Sequence, residues 1–378
     1  MNILITVGIF PPDIGGPASF VPKITNSLIK NGHNVKIICL SDKQNLSIED
    51  KFNVTRITRS TNLPFRWLIT IFKIIQYGLK NDVIFVNGLG VESAIANIFI
   101  RKKIVRKIVG DPVWERSYNK YETDQTFDEF QNSNNKFSIK IQRLIRDWSI
   151  NRSEIIITPS DHLNSFVSQI KLDNKIETIN NGIEIAPKRI VKDRKKENHL
   201  IMISRLVVQK NINLVIEALE LLHDKNIKLT VIGDGEEFGN LEKQINALKL
   251  KDNVKLIGKV HNSKIFEYLL KADLFIQASD YEGLPHSVLE AINYEVPILS
   301  TEVGGCRDLL EDGENGFIIH SPPNKEQIAK QIDFIISNET QAKKKAKNAK
   351  KLITDKYNFL KQAQIYEEIL YEVTNKQQ

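Results

Sequence analysis

The sequence predicts an α/β protein made of two Rossmann-like domains, and three observations support this fold class. The chain has 378 residues, about twice the length that one hydrophobic core usually organises. Short β-branched runs alternate with stretches of helical period, a pattern typical of βα units around a parallel sheet. Residues 186–198 are charged and have no apolar period, so we expect a linker there. The expected domains are residues 1–185 and 186–356.

The predicted elements follow from short apolar runs that contain many Ile and Val residues. In the first domain the predicted strands are Asn2–Val7, Val35–Leu40, Val83–Val86, Lys107–Val109 and Glu154–Thr158. In the second domain they are Leu200–Ile203, Lys228–Ile232, Val254–Ile257, Leu274–Gln277, Pro297–Ser300 and Phe317–Ile319. Tyr357–Val373 has apolar side chains at helical spacing and predicts a packed C-terminal helix. The lysine-rich stretch 343–351 predicts a solvated helix face.

Composition narrows the class of protein. Hydrophobic residues make up 41% and charged residues 26%, which excludes a disordered or fibrous chain. The two cysteines lie in different halves and the N-terminus has no signal-peptide pattern, so we expect a cytoplasmic protein. Residues 1–190 hold 26 Lys and Arg against 18 Asp and Glu, whereas residues 191–378 hold 27 against 28. The basic first half fits an anionic substrate or membrane surface. We expect no nucleic acid, because Arg101–Lys107 has no interleaved aromatic residues.

The loops after strands hold the candidate functional residues, because ligands bind at the carboxyl ends of strands in open α/β sheets. After the first strand, Gly15 and Gly16 would let backbone N–H groups approach an anion at a helix N-terminus. After the first strand of the second domain, Arg205 and Lys210 are cations suited to a phosphate. Each of these loops alone is also compatible with an ordinary structural turn.

The segment Glu282–Glu290 is the strongest of these signals. Pro285 suits a first helical turn, so Glu282 lies in the preceding loop and Glu290 on the helix. Backbone amides exposed at Gly283 would stabilise a diphosphate at the helix N-terminus. A carboxylate beside an anion is unfavourable unless it accepts hydrogen bonds from hydroxyl groups. The hydroxyl groups of a sugar or a ribose would supply such bonds. The segment thus places two carboxylates around an anion site, although single carboxylates near helix starts often serve only as caps.

Seven short motifs occur in order along the chain: Pro11–Gly16, Asn181–Glu184, Ser204–Leu206 with Lys210, Gly233–Gly235, Glu282–Glu290, Val303–Gly305 and Asn315–Phe317. Together they resemble the retaining, nucleotide-sugar-dependent glycosyltransferases of family four, which have the two-domain GT-B architecture. The resemblance spans nearly the whole chain, and the order of the motifs makes it specific although each one is weak. It implies two Rossmann-like domains facing across a cleft, with the C-terminal helix 357–378 packing back on the N-terminal domain.

The resemblance implies roles for the candidate residues. Arg205 and Lys210 would bind the donor diphosphate, and Glu290 would bind the ribose hydroxyls. Gly16, with Gly15 beside it, would let the N-terminal loop close over the phosphates. The residues that would hold the transferred sugar are Glu282 and the amides of Gly283 and Leu284.

Two segments depart from the family pattern. Where the family often has a His near the donor sugar, this chain has Asp111, which would replace it as an acceptor for a sugar hydroxyl or would serve only as a turn residue before Pro112. Cys306 follows the paired glycines where a Pro-Glu pair is more typical. The sequence also lacks an Asp-x-Asp element, as the family does, so we expect no metal and no cofactor besides the nucleoside-diphosphate sugar.

The expected function is transfer of a hexose or related sugar, with retention, to a glycan or lipid-linked saccharide in surface polysaccharide or glycolipid assembly. The alternatives are a GT-B-like sugar-nucleotide epimerase and a non-catalytic nucleotide-sugar-binding scaffold. Apolar residues within Leu63–Ile75, beside Arg66 and Lys73, form either an interfacial membrane helix or the core-facing stripe of a helix. The first alternative would place the protein at the inner face of the membrane.

Overall fold

Two parallel β-sheets organise the protein in a computed structural model that describes residues 1–13, 15–42, 51–133, 136–170, 174–186, 198–222 and 226–375. Close contacts divide the chain into two compact units. Unit 1 comprises Met1–Val113, Asn134–Asn181 and Leu360–Gln378, and unit 2 comprises Trp114–Ser133 and Gly182–Phe359. The division into an acceptor domain (1–185) and a donor domain (186–356) stays a prediction, and most of the expected linker lies outside the described residues.

Unit 1 contains the first sheet, and each helix there connects or flanks its strands. The strands are β1 (Asn2–Val7), β2 (Asn34–Leu40), β3 (Asn53–Ile57), β4 (Val83–Asn87), β5 (Lys103–Lys107), β6 (Ile155–Thr158) and β7 (Lys175–Thr178). The helices up to β7 are α1 (Gly16–Lys30), α2 (Leu63–Gly78), α3 (Gly90–Ile100), α4 (Pro112–Asn119), α5 (Phe127–Asn132), α6 (Phe137–Ile150) and α7 (Asp161–Gln169). Most of α4 and all of α5 belong to unit 2.

Unit 2 contains the second sheet and the helices that follow its first strand, except for the last helix of the chain, which belongs to unit 1 from Leu360 onward. Its strands are β8 (Asn198–Ile203), β9 (Ile227–Ile232), β10 (Val254–Gly258), β11 (Leu274–Gln277), β12 (Ile298–Thr301) and β13 (Phe317–Ile319). Its helices are α8 (Ile212–Glu220), α9 (Phe238–Ala247), α10 (Asn262–Leu269), α11 (His286–Asn293), α12 (Cys306–Leu309), α13 (Lys325–Ser337) and α14 (Glu339–Lys356), and the chain ends in α15 (Phe359–Asn375).

Both sheets are parallel and doubly wound, which confirms the predicted fold class. Among the described residues the strand orders are β3-β2-β1-β4-β5-β6-β7 and β10-β9-β8-β11-β12-β13. In each sheet the chain starts in the middle, extends toward one edge and then returns to the other side of its first strand. The switch points lie between β1 and β4 and between β8 and β11, where strand-end loops meet and leave room for a ligand.

The C-terminal helix α15 packs on unit 1, as expected. Its Tyr366 ring is buried, with its centroid 5.3 Å from that of Phe20 on α1 and 5.8 Å from that of Phe85 on β4. At the far end of the sheet, the His33 ring bonds Glu367 of α15 at 2.8 Å. Apolar burial and several polar contacts therefore fix this helix to the unit that begins the chain.

The predicted strand Lys107–Val109 is wrong, because the strand is β5, which ends at Lys107. We missed its start because basic residues seldom occupy a buried strand. Here Lys107 is 4% exposed, donates to Asn181 Oδ1 at 2.8 Å, and has its Nζ atom 3.5 Å from the centroid of the Phe20 ring. Burial lowers the pKa of Lys107 well below its usual value. The sequence also gave no prediction for β3 and β7.

In helix α2, most of the apolar side chains that the sequence nominated for the core are exposed to solvent. It buries Thr70 and Ile74, whereas Phe65, Leu68 and Phe72 are each more than 60% exposed. Leu63 and Trp67 are exposed as well, so the core-facing interpretation is wrong for these five side chains. Within the described residues, no helix is long and apolar enough to span a bilayer.

Candidate functional site

The switch point of unit 2 brings together the loops that follow β8 and β11. These two strands are parallel neighbours, so their carboxyl ends lie side by side. The loops are joined by backbone and side-chain hydrogen bonds: Asp280 N–H donates to the Gln209 carbonyl at 2.9 Å, and Asn211 Nδ2 donates to the Ala278 carbonyl at 3.0 Å. Strand order thus joins two candidate segments that are about seventy residues apart in sequence.

Lys210 and Glu282 form an ion pair at this junction. Lys210 Nζ lies 2.6 Å from Glu282 Oε1, and the side chains are only 9% and 13% exposed. A short 3₁₀ turn, Val208–Lys210, directs the lysine from the end of β8 toward the loop after β11. The structure therefore brings together two residues that the sequence nominated separately.

The Glu282 carboxylate is held by one of its two oxygens. Ser279 Oγ donates to Oε1 at 2.7 Å, and Gln277 Nε2 donates to the same oxygen. Gln277 Nε2 also lies 2.5 Å from Ser279 Oγ. Among the described residues, every hydrogen bond to this carboxylate reaches Oε1. Oε2 therefore keeps its capacity to accept a hydroxyl proton from a bound molecule.

Arg205 lies in the same loop as Lys210 but is far more exposed. Its Nη2 atom is 3.4 Å from Glu115 Oε2, and the arginine side chain is 48% exposed. Glu115 belongs to α4, which the sequence had assigned to the first domain. The guanidinium keeps most of its donors for other partners, as a phosphate-binding arginine requires.

Asp280 connects the junction to α4 through half-buried hydrogen bonds. Its two oxygens accept from Tyr118 Oη at 2.7 Å and from Asn211 Nδ2 at 2.7 Å. Burial raises the pKa of Asp280, and the hydrogen bonds from Tyr118 and Asn211 and the charge of Lys210 oppose that rise. Burial and the Asp280 carboxylate also raise the pKa of Tyr118 above its usual value, so this phenol stays protonated.

An aromatic cluster packs against the loop after β11. Tyr281 stacks on Phe127 with ring centroids 4.1 Å apart, and it meets the buried Trp114 edge-on at 5.3 Å. The indole Nε1–H of Trp114 donates to the Gln125 carbonyl at 3.0 Å. Segment 114–133 therefore provides a rigid wall for the site in unit 2.

The paired glycines after β12 pack against the backbone of the Glu282 loop. Gly304 has φ +48°, and a Cβ atom there would lie 2.0 Å from the Glu282 carbonyl oxygen. Gly305 N–H donates to that same carbonyl at 2.8 Å. A side chain at either position would collide with the backbone of the Glu282 loop, so the close packing here requires glycine. The next residue, Cys306, is buried, and burial together with the charge of Glu282 raises its thiol pKa to about 12, so it is no nucleophile at neutral pH.

The remaining donor-site candidates of unit 2 lie at the start of α11. The helix begins at His286, directly after Pro285, so Glu282 precedes the helix and Glu290 lies on its second turn, as predicted. Gly283 is half-buried and Leu284 is buried. The ribose contact of Glu290 and the sugar contacts of the two amides stay predictions.

In unit 1, the loop after β1 is held by two arginines, one on β3 and one just after it. Arg59 bonds Asp13 and donates to the Leu40 carbonyl at 2.8 Å, while Arg56 donates to the Pro11 carbonyl at 2.7 Å. Gly15 caps α1 with φ +148°, and a Cβ atom there would lie 2.6 Å from Ile9 Cδ1. Gly16 is the first residue of α1. Closure of this loop over phosphates stays a prediction for both glycines.

Asp111 lies in the interior of unit 1 and is fully buried. Arg146 Nη1 lies 2.5 Å from its Oδ2, and Val113 N–H donates to its Oδ1 at 3.0 Å. Both oxygens accept hydrogen bonds within unit 1. A contact with the donor sugar stays a prediction for this residue.

Among the described residues there is no group of three or more His, Cys, Asp or Glu side chains that could hold a metal ion. The Glu282 carboxylate bonds a lysine, an amide and a hydroxyl rather than a second carboxylate. Metal-independence stays an expectation from the resemblance.

The fold is similar to that of solved glycosyltransferase-like structures. One such structure is Anabaena HepE, which was solved with UDP and glucose and also with UDP-glucose. HepE is 20% identical in sequence, and the match covers 98% of this chain and 100% of HepE. The TM-score is 0.80 for the complex with UDP and glucose. The chain thus has the GT-B fold.

The family follows from the sequence. The pattern described as "Glycosyltransferase Family 4" matches residues 14–186, and "Glycosyl transferases group 1" matches residues 185–352. The O-antigen biosynthesis glycosyltransferase WbnH of Escherichia coli is 26% identical over 86% of this chain and 88% of its own. The amylovoran biosynthesis glycosyltransferase AmsD of Erwinia amylovora is 28% identical over 41% of this chain and 43% of its own. The chain belongs to the family 4 glycosyltransferases and is a transferase.

Sequence reasoning missed several partners of the nominated residues. Gln277 and Ser279 lie at the end of β11 and just after it, a position that should have drawn attention to their polar side chains. Nothing in the sequence indicated Glu115 or Tyr118, because the fold of segment 114–133 brings them to unit 2. The partners found only in the structure are Gln277, Ser279, Asp280, Asn211, Tyr118 and Glu115.

Proposed function

We propose that this chain is a retaining hexosyltransferase that takes its sugar from a nucleoside diphosphate. The observation that supports this most is the Lys210–Glu282 pair beside Arg205 at the β8–β11 switch point. Two cations there match a diphosphate, and a carboxylate with one available oxygen matches a sugar hydroxyl. The UDP complexes of HepE make UDP-sugars the first donors to test.

The chemistry requires charge stabilisation more than proton transfer by the protein. The bond between the anomeric carbon and the phosphate oxygen breaks, and its electron pair stays on the diphosphate. The acceptor hydroxyl oxygen bonds the anomeric carbon on the same face, and its proton passes to the leaving phosphate. Arg205 and Lys210 stabilise the negative charge that develops on the leaving group, and Glu282 orients the sugar and favours its oxocarbenium character.

The acceptor we propose is a saccharide or a lipid-linked saccharide in surface polysaccharide or glycolipid assembly. The names of WbnH and AmsD support this assignment, because both refer to assembly of a polymer of sugars. A lipid-linked acceptor would bring the enzyme to the cytoplasmic face of a membrane.

Donor binding is tested by thermal unfolding with UDP-, GDP- and ADP-sugars, each with and without chelator. A donor at a hundred times its dissociation constant should stabilise the protein by about 2.7 kcal/mol, a shift of several degrees. Arg205→Ala should remove the shift, and the matched control Lys344→Ala, an exposed lysine on α14, should keep it. A shift that needs added metal contradicts metal-independence, and no shift with any sugar nucleotide contradicts donor binding.

Retention and transfer require detection of the product. NMR of the new glycosidic linkage should show the anomeric configuration of the donor, and inversion would contradict the retaining mechanism. Release of the nucleoside diphosphate with an epimerised free sugar would instead favour the epimerase. Donor binding without any turnover across an acceptor panel would favour the scaffold.

A further inference from the structure

One surface of unit 1 exposes large apolar side chains along three neighbouring helices. Helix α2 packs against α3, and α3 packs against α6. Six phenylalanine and leucine side chains on these helices are each 62–79% exposed. We name this set the apolar row; its members are Phe65, Leu68, Phe72, Phe99, Phe137 and Leu144.

The fold does not need the apolar row, because the same helices bury a different set of residues. Ile74 of α2 and Ile100 of α3 join a core cluster with residues of the first five strands. Helix α6 buries Ile139 and Ile150. A helix already anchored by one face normally presents polar residues on the other. Large exposed apolar side chains on neighbouring helices therefore indicate an interaction site.

The three helices and their flanks carry many cations and few acidic groups. Helix α2 contains no Asp or Glu, α3 contains only the half-buried Glu92, and α6 contains only Asp147, whose Oδ1 lies 2.8 Å from the buried Arg146. Besides the buried Arg146, the Lys and Arg residues on these helices and their flanks are Arg66, Lys73, Lys80, Arg101, Lys102, Lys136, Lys140, Arg143 and Arg152.

Two tryptophans add the amphipathic rings that favour a lipid–water interface. Trp67 on α2 and Trp148 on α6 are 36% and 37% exposed. The guanidinium carbon of Arg152 lies 5.4 Å from the Trp148 ring centroid. An indole beside a cation suits the level of phosphate headgroups, where one side of the ring is apolar and the other is hydrated.

We propose that the apolar row docks on an anionic phospholipid bilayer. The phenylalanines and leucines insert below the headgroups, and the surrounding Lys and Arg side chains contact lipid phosphates. This charge pattern selects among partners. A two-fold contact between copies of this chain would bring identical cations together, and nucleic acid would leave the apolar side chains without a partner.

Vesicle sedimentation of the full chain tests the proposal. The protein should bind vesicles of phosphatidylethanolamine with phosphatidylglycerol, and bind vesicles of phosphatidylcholine at least tenfold more weakly. Phe72→Ser and Leu144→Ser should each weaken binding to the anionic vesicles by about tenfold. The matched control Leu360→Ser changes a leucine that is 71% exposed on α15, and it should bind like the wild type.

Charge reversal separates the electrostatic contribution. Lys136→Glu with Lys140→Glu should weaken binding to anionic vesicles by about tenfold or more. Lys344→Glu with Lys347→Glu makes the same charge change on α14 of unit 2 and should have a much smaller effect. Equal losses from both double variants would mean that net charge alone drives binding, which would overturn the proposal.

Tryptophan fluorescence reports directly on the surface. The chain has three tryptophans, and Trp114 is fully buried, so quenching by brominated lipids should arise from Trp67 and Trp148. Trp67→Phe and Trp148→Phe should each remove part of that quenching. Unquenched emission in the presence of anionic vesicles would overturn the proposal.

Two further measurements keep the result interpretable. The serine variants should unfold at the wild-type temperature and keep the stabilisation by donor, because the changed side chains are exposed and lie outside unit 2. If sedimentation equilibrium shows wild-type dimers that these variants abolish, while vesicle binding is absent, the apolar row is instead a contact between copies. A failure to bind donor would leave the membrane result unaffected, so the two proposals fail separately.

Discussion

Two ion pairs, one in each unit, follow strands of the two parallel sheets but differ in how much of the carboxylate the fold uses. In unit 1, Asp111 is fully buried, and both its oxygens are bound by Arg146 and a backbone amide. In unit 2, Glu282 keeps a small exposed fraction, and its described hydrogen bonds all reach Oε1. Both oxygens of Asp111 accept hydrogen bonds from the protein, whereas Glu282 has one oxygen that can accept a hydrogen bond from a ligand.

The difference has an energetic consequence. A buried charge that loses its partner costs far more than the pair contributes, because the remaining ion has no water to solvate it. We therefore expect the pair of unit 1 to affect stability. The pair of unit 2 should affect both stability and turnover, and the following variants test that separation.

Arg146→Met should have the largest effect, since it removes the guanidinium that bonds the buried Asp111 carboxylate. We expect the free energy of unfolding to fall by about 3–5 kcal/mol, measured by urea titration. The double variant Asp111→Asn with Arg146→Met removes both charges and should recover most of the loss. If single and double variants unfold alike, packing rather than charge explains the effect.

Lys210→Met should lower kcat/KM for donor by about 10² to 10³, because a cation at the developing diphosphate charge is lost. It should also destabilise the protein, since Glu282 then lacks its ion partner. Adding Glu282→Gln should restore stability without restoring turnover. Recovery of turnover in the double variant would mean that this pair is structural, like that of unit 1.

Ser279→Ala should lower kcat/KM by about tenfold, the effect of losing one hydrogen bond to a charged carboxylate. The expected cause is looser orientation of Glu282, so KM for donor should change less than kcat. Ser165→Ala, an exposed serine on α7, is the control. An unchanged rate would show that Gln277 and Lys210 suffice to hold Glu282.

Asp280→Asn should have the smallest effect and should reveal itself in the pH dependence of stability. Burial raises the folded-state pKa of Asp280, so its ionised form costs stability above that pKa, and the cost is lifted as pH falls through it. As pH falls from neutral toward the ordinary pKa of an aspartate, the wild type should therefore gain stability relative to the variant, as measured by urea titration. A difference that stays constant with pH would contradict this assignment.

Sequence patterns predicted the two parallel sheets well because apolar runs and helical periods are local. They also indicated the loops after β8 and β11, where Arg205, Lys210 and Glu282 lie. They failed at β5, whose Lys107 is buried in the sheet among aromatic rings. They failed again on α2, because a single period cannot tell which stripe faces the core when both stripes are apolar.

The sequence by itself determined the fold class, the family and the residues that surround the proposed donor site, since each depends on short motifs and their order. Only the tertiary structure decided which of these residues meet: Lys210 with Glu282 across neighbouring strands, and Asp111 with Arg146 inside unit 1. It also decided that segment 114–133 packs within unit 2 and that the apolar row faces solvent. The physical reason is that strand order and helix packing join residues far apart in the chain, and no local pattern records those contacts.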